Sequence, residues 1–491
     1  MDNLLCDELV QEIFQRLPPS TSSAVPLVCK RWLFLHRISK SSLSVRLPTH
    51  PSFVPSFSSL LSRYPRLTSL TVTPDHSTPL FSLTPDAEAE APSGASLFWD
   101  HHLLSVASNC RNLRHLRFLA GPVSPSALVS PSSSCKHLTS LSISSFRPFC
   151  FRWLTSFPSL KELSVVDCGG ANSNDFSTLK FDSDYDDGVP SSQPSSEMEL
   201  PLEFLCLSGI GAGDRGMGWL WKSCTKLRRL QLRSCEGTGD GASFSSFVSC
   251  LPGLQELELR TCRTIADGVL LRLAEHGGSL NSLLLYDGGS RDGLHHFISR
   301  CSCTLQRLDL RLPLDLDNDH LSAVAENFRC LVSLRLQSCC LVTGEGLKTL
   351  GTAVSSELEE LALINCDVIE REPGLLTTLA QNLSELKKLD LSYNEMLVDK
   401  EFVSMLVSCK NLVDIKLRGC RRLTNATLVS MLKICKLLEN LDILQCYGIG
   451  VEAVELFVLN SPRLRRVRVE ESKLSAVAKV SASQKFIEIV S

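Results

Sequence analysis

Leu254-Gln255-Glu256-Leu257-Glu258-Leu259-Arg260-Thr261-Cys262 is the stretch whose reading decides how this chain folds. In Leu257-Glu258-Leu259 the leucines alternate with acids, so a short strand buries one face and exposes the other. The phrase Leu-x-x-Leu-x-Leu, with other apolar residues sometimes standing for the third leucine, recurs along the chain. It stands at Leu67-Leu70-Val72, Leu113-Leu116-Phe118, Leu138-Leu141-Ile143, Leu160-Leu163-Val165 and Leu202-Leu205-Leu207. It then returns with first leucines at Leu227, Leu254, Leu280, Leu305, Leu331, Leu358, Leu386, Leu412, Leu438 and Leu464. That makes fifteen copies, the last ten spaced 25 to 28 residues apart. A fixed period in the twenties means that each copy is one structural unit stacked on its neighbours.

The rest of the unit follows from its other residues. Just beyond the strand many copies carry a cysteine: Cys168, Cys235, Cys262, Cys339, Cys366, Cys420 and Cys446, with Asn394 at the same place in another. A small buried side chain suits a point where the chain must turn inward. Helical spacing follows, as in Val403, Leu406 and Val407, after turns such as Ala266-Asp267-Gly268 or Arg291-Asp292-Gly293. A second cysteine often closes the helix, as at Cys409 and Cys435. Strand, helix, strand in one direction gives a curved parallel sheet with helices outside, an α/β leucine-rich-repeat solenoid. The repeats resemble the cysteine-containing class of that fold. A solenoid offers a long surface and no pocket of its own, which points to recognition and away from catalysis.

Composition agrees. The chain has 491 residues, 43% of them hydrophobic, and a formal net charge of −3, which gives no reason to expect nucleic acid or an anionic membrane as partner. Its 21 cysteines recur at equivalent repeat positions, with no paired spacing suited to a metal, so they read as small core residues in a reducing compartment. The start, Met1-Asp2-Asn3, lacks the basic character of a secretion signal, and no run of 18 apolar residues exists. The expected location is the nucleus and/or cytoplasm.

Residues 1–47 stand apart. Leu5, Leu9, Ile13, Phe14 and Leu17 recur at helical spacing, Pro18-Pro19 ends that helix, and Ser20 to Ser23 with Pro26 start another. Asp7-Glu8-Leu9, Glu12-Ile13-Phe14 and Val28-Cys29-Lys30-Arg31-Trp32 resemble an F-box, with Leu5-Cys6 where that family has Leu-Pro. An F-box followed by these repeats resembles the F-box/LRR proteins, plant-like ones included. The resemblance implies that Leu5, Leu9, Ile13, Phe14, Leu17, Val28 and Trp32 bind a Skp1-like adaptor, and through it a cullin. It also implies that the repeats bind a target protein, so the chain would be the non-catalytic substrate-recognition subunit of an SCF ubiquitin ligase. A small-molecule (hormone-like) sensor on the same scaffold and a non-degradative repeat scaffold are the alternatives.

The expected division is an F-box over 1–47, a solenoid over 48–471, and a cap over 472–491 in which Leu474, Val477, Val480, Phe486 and Ile489 cover the last repeat. Leu43, Val45 and Leu47 alternate like a strand that caps the other end. Three stretches break the period, 73–97, 121–135 and 169–200, and their Pro, Ser and acid content reads as irregular loops.

Gly211-Ala212-Gly213-Asp214-Arg215-Gly216 has dinucleotide-loop spacing, but Thr238-Gly239-Asp240-Gly241 and Thr343-Gly344-Glu345-Gly346 occupy the same turn, so it is the repeat's own. The acids Asp182 to Asp187 put Gly188 one place late and Gln193 where a calcium loop needs Glu. His101-His102 and His295-His296 are adjacent pairs that diverge on a helix. No metal, cofactor or active site is expected. The outward strand positions carry Arg229, Arg233, Arg260, Tyr286, Arg311 and Arg335, with Arg307 and Arg418 beside them. Such a ladder suits a phosphate or an acidic peptide, unless Glu256, Glu258 and Asp309 neutralise it.

Overall fold

The computed structural model describes residues 5–17, 24–48, 53–75, 93–145, 149, 151–167, 199–211, 214, 216–239, 243–312, 315–354 and 357–490. The chain packs as two compact units, Met1–Arg229 with Gly237–Cys250, and Leu230–Glu236 with Leu251–Ser491. This split falls within the repeats.

The first unit begins with α1 (Asp7–Arg16), a 3₁₀ turn (Val25–Leu27) and α2 (Lys30–Ser39). It continues through β1 (Ser42–Leu47), α3 (Phe53–Leu61), β2 (Ser69–Pro74), α4 (Ser93–Asn109), β3 (His115–Pro122), α5 (Val129–Ser134), β4 (Ser140–Ser145), β5 (Glu162–Asp167), β6 (Phe204–Ser208) and α6 (Met217–Ser223). β7 (Arg229–Arg233) is shared in sequence between the units, and α7 (Ser243–Phe247) belongs to the first. The second unit alternates β8 (Glu256–Arg260), α8 (Arg263–His276), β9 (Ser282–Tyr286), α9 (Arg291–Arg300), β10 (Arg307–Arg311), α10 (Asn318–Asn327), β11 (Ser333–Gln337), α11 (Gly344–Ala353) and β12 (Glu360–Ile364). After α12 (Val368–Arg371) and α13 (Leu375–Asn382) come β13 (Lys388–Asp390), α14 (Asp399–Ser408), β14 (Asp414–Lys416), α15 (Asn425–Ile434), β15 (Asn440–Asp442), α16 (Val451–Asn460), β16 (Arg466–Arg468), α17 (Ala476–Gln484) and β17 (Glu488–Val490).

In the first unit β1 to β6 pair in sequence order, and in the second β8 to β17 do so, every pairing parallel, with core apolar residues opposite one another and one register shift, between Phe118 and Pro122 in the β3–β4 pair. The chain is an α/β leucine-rich-repeat solenoid. All fifteen predicted copies contain a strand, and their first leucines are buried from Leu67 to Leu464. In β8 to β11 burial alternates, so the leucines face the core and the intervening residues face outward. No helix among the described residues is long and apolar enough to cross a membrane.

The end of each strand shows why the repeats stay in phase. One residue there adopts the left-handed conformation: Ser234, Thr261, Asp287, Leu312, Ser338, Asn365, Tyr393, Gly419 and Gln445. For a residue other than glycine this costs about 1–2 kcal/mol. It aims the amide of that residue at the following repeat. Thr261 N donates to Tyr286 O at 2.8 Å, Ser338 N to Ile364 O at 2.9 Å, and Gly419 N to Leu444 O at 2.8 Å. At Gly419 a β-carbon would come within 2.7 Å of the Tyr393 ring, so here glycine takes a place that holds a side chain in the other repeats.

The next residue is the cysteine of the repeat, and it binds backward. The thiols of Cys262, Cys366, Cys420 and Cys446 donate to Leu232 O, Leu336 O, Leu391 O and Leu417 O of the preceding repeat, at 3.4, 3.5, 3.1 and 2.9 Å. Asn394 does more at the same place. Its Nδ2 donates to Leu363 O and Leu391 O, both at 2.8 Å, and its Oδ1 accepts from Cys366 N at 2.9 Å. Both residue types are small, buried and able to donate to a carbonyl that would otherwise lie dry and unpaired. The helix-end cysteines are buried too: burial pushes the Cys224 and Cys435 thiols up to about 12 and that of Cys409 up to about 11.

Three expectations need correction. Residues 121–135 are not a loop throughout, since β3 runs to Pro122 and α5 occupies Val129–Ser134. There Ser124 donates through its amide and hydroxyl to the buried Asp100 at 2.9 and 2.6 Å, which holds a proline- and serine-rich stretch in place. Residues 93–97 start α4, whereas 76–92 and most of 169–200 lie outside the described residues. In the C-terminal segment Val477, Val480 and Phe486 are exposed, and Ala478, Ala482 and Ile487 make the covering face. β17 nevertheless pairs with β16 and extends the repeat pattern.

Replacing Asn394 with Ala leaves the Cys366 amide and the Leu363 carbonyl without the partners Asn394 supplies, and leaves Leu391 O only the Cys420 thiol, so the expected loss is about 2–4 kcal/mol in chemical denaturation. Asn394→Cys, which restores a donor to Leu363 O, should lose about half as much; equal losses would remove the hydrogen-bond account. Thiol labelling of the native protein should be fast at Cys6, Cys330 and Cys340, slower at Cys29, and should need unfolding at the fifteen buried cysteines among those described.

Candidate functional site

Two surfaces combine features that a partner could use. The first is the helical pair at the N-terminus. α1 carries apolar residues on two faces. Val10 and Phe14 turn inward and form a small core with Val25 and Leu35, completed by Leu17, Trp32 and Ile38. The rings of Phe14 and Trp32 meet edge to face at 5.3 Å. The Cys29 thiol caps α2 by accepting from Trp32 N at 3.4 Å. Arg31 clamps α1 to α2, donating to Asp7 Oδ1 at 2.7 Å and to Leu5 O at 2.9 Å.

That core leaves the other face bare. Leu5, Leu9, Ile13 and Val28 are exposed, and so are Leu27, at 85%, and Phe34. Six large apolar side chains in water on some thirty residues is a patch in search of a cover. Phe14, expected on the docking face, is instead 7% exposed and belongs to the bundle core, with Trp32 half-buried beside it and Leu17 at its edge. Leu27 and Phe34 were missing from the expected set. Phe34 adjoins the buried Leu35 on α2, and one helical step turns it about 100° away, into solvent.

The second surface is the outward side of the strands in the second unit. Arg260, Tyr286 and Arg311 stand in register on β8, β9 and β10, as the ladder reading requires. Neither arginine is isolated. The Arg260 guanidinium is ion-paired with Glu258, which also takes Arg233 at 3.3 Å. Arg311 donates through Nε and Nη2 to the two oxygens of Asp309 at 2.9 and 2.7 Å. Arg307 reaches across β9 to Glu256 at 2.8 Å. Arg335 lies one column over, opposite Asp309, at 3.6 Å from both Asp309 and Asp390. Arg418 pairs with Asp442 at 3.2 Å. Arg229 falls in the first unit, 3.7 Å from Glu162 and over the Phe204 ring.

Asp214 accepts from Gly211 N at 2.7 Å and Gly216 caps α6, while Ala212, Gly213, Arg215 and the acidic run 182–187 lie outside the described residues. His102 is buried against Phe98 and Trp99, and His101 is exposed. Among the described residues no three metal-binding side chains converge.

No protein-family profile matches the chain. It is 28% identical over 280 residues to a putative RNA-binding protein of Caenorhabditis elegans, covering 55% of this chain and 36% of that protein. It is 27% identical over 200 residues to F-box/LRR-repeat protein 4 of Bos taurus, covering 40% of this chain and 32% of that one. A transport inhibitor response 1-like protein of Oryza sativa subsp. japonica is 26% identical over 274 residues, with 49% and 47% covered. The match thus spans about a third to a half of the length of these relatives. Among solved structures, the leucine-rich repeat-containing protein LegL7 of Legionella pneumophila aligns with 57% of this chain and 97% of its own, at 14% identity and a TM-score of 0.41.

The division of α1 into two faces can be tested by stability alone. Phe14→Ala should destabilise the helical pair by about 3–5 kcal/mol, seen as early protease cleavage between residues 5 and 40. Ile13→Ala, from the exposed face, should leave the cleavage pattern unchanged.

Proposed function

We propose that the chain is a non-catalytic substrate receptor of an SCF-type ubiquitin ligase. In this reading the N-terminal helical pair docks a Skp1-like adaptor, and through it a cullin, while the outward strand face holds the target. The observation that carries the reading is the exposure of the apolar side chains Leu5, Leu9, Ile13, Leu27, Val28 and Phe34, on a bundle whose core is already complete without them. A surface of this kind lowers its free energy only when covered, and each side chain covered contributes about 1.5–3 kcal/mol. The F-box-like residues Val28-Cys29-Lys30-Arg31-Trp32 lie on the same bundle, and one curated relative bears the F-box/LRR name. Catalysis would then come from proximity: the receptor holds its target beside an enzyme that other subunits supply.

The test is co-purification with Skp1. Replacing Leu9 and Ile13 together by Ala removes two exposed anchors and no core atom, so the bundle should stay folded. Adaptor affinity should fall by two or more decades at about 1.5–3 kcal/mol per side chain. Unchanged adaptor binding by this pair, or by a chain lacking residues 1–45, would refute the receptor reading.

A further inference from the structure

The outward face of β8, β9 and β10 has a pattern that the arginines alone do not explain. β9 presents Ser282, Leu284 and Tyr286 and carries no charge, while both flanking strands are charged at every outward position. Glu258 and Asp309 stand in register on either side of Leu284, and Arg260 and Arg311 on either side of Tyr286. On each side the acid and the arginine pair with one another along their own strand. The third boundary is Arg307, which bridges over Ser282 to Glu256 at 2.8 Å. Leu284 and Tyr286 are therefore half-buried and fenced by ion pairs on three sides. Among the described residues the Tyr286 hydroxyl has no hydrogen-bond partner.

We propose that Leu284 and Tyr286 are the anchor of the target-binding surface, and that the target is an extended segment with one large apolar side chain flanked by carboxylates. The inference rests on the reading of the chain as a receptor and names the chemistry of what it receives. An apolar and aromatic centre ringed by charged side chains that exclude water is the arrangement in which a few residues carry most of a binding energy. The arginines form the rim: Arg260, Arg307 and Arg311 already have carboxylate partners, so a ligand meets guanidiniums whose charge is largely balanced. The balance is not complete. Among the outward residues from Arg233 to β11, Arg233, Arg260, Arg307, Arg311 and Arg335 stand against Glu256, Glu258 and Asp309, with Asp390 of β13 also 3.6 Å from Arg335, five cations to four anions. The surplus selects acids in the partner on either side of the anchoring side chain and repels bases.

Labelled heptapeptides titrated into the full chain test this: Glu-Asp-Glu-Trp-Glu-Asp-Glu, the same peptide with Ser or phosphoserine at its centre, and Lys-Arg-Lys-Trp-Lys-Arg-Lys. The tryptophan-centred acidic peptide should bind at least tenfold more tightly than the other three. Tyr286→Ser and Leu284→Gln should each abolish that preference, and Tyr286→Phe should keep it within threefold. Melting temperatures show whether a variant is folded, and Tyr286→Phe keeps the test informative if Tyr286→Ser is not. Equal binding of the serine-centred peptide, tighter binding of the phosphoserine one, or an unchanged affinity in folded Tyr286→Ser would overturn the proposal. The receptor reading fails separately: the Leu9 and Ile13 double replacement should lose the adaptor and keep the peptide.

Discussion

One hydrogen bond per repeat governs much of this structure: the amide of a left-handed residue at the strand end, donated to the carbonyl at the end of the next strand. Ser234 to Arg260, Asp287 to Arg311 and Asn365 to Ser392 repeat it at 2.8 to 3.0 Å. The bond sets where each strand stops, and so where the chain bends toward its helix. It leaves the following side chain buried, and the thiol or amide there closes the return contact to the repeat before. Where that residue is Cys262, Cys366, Asn394, Cys420 or Cys446, the unit is tied forward by its backbone and backward by a side chain. Parallel register, core residue against core residue, follows from that double tie.

The tie also separates stability from recognition. Core leucines and turn cysteines hold the repeats together, so the outward residues of each strand can vary with little cost to folding. The second unit uses that freedom to build rows of ion pairs, Glu258 with Arg260 and Asp309 with Arg311, around a strand without charge. The N-terminal pair of helices divides its labour similarly. Phe14 and Trp32 supply the inside, and Leu9, Ile13 and Leu27 are left outside.

The fold was legible because its signal is a period, and a period survives substitution: Val72, Phe118 and Ile143 serve as well as leucine. The site was legible only in part. Phe14 follows Ile13 directly, and apolar spacing alone does not say which of two neighbours a second helix will cover. The arginines were visible as a column, but their partners come from the neighbouring column two residues away and from adjacent strands, which requires knowing the register. The left-handed residues left no trace in composition. Ser, Thr, Asp, Leu, Asn, Tyr, Gly and Gln all occupy that position, because the donor of the hydrogen bond is the backbone amide. In the C-terminal segment the larger residues suggested the covering face, whereas close packing against a helix selected the smaller Ala478 and Ala482.

The in-phase register has a consequence for how such a chain can change over time. Because Leu389, Ile415 and Leu441 occupy equivalent places on successive strands, excising one whole period brings like against like and restores the same joint. A deletion of any other length shifts leucines toward solvent. Length in this part of the protein is therefore quantised at about one period, and duplication or loss of a unit is a milder event than the loss of a few residues. Such steps would add or delete one row of outward side chains at a time, so a binding surface can be lengthened, shortened or spliced while the scaffold beneath it keeps its joints.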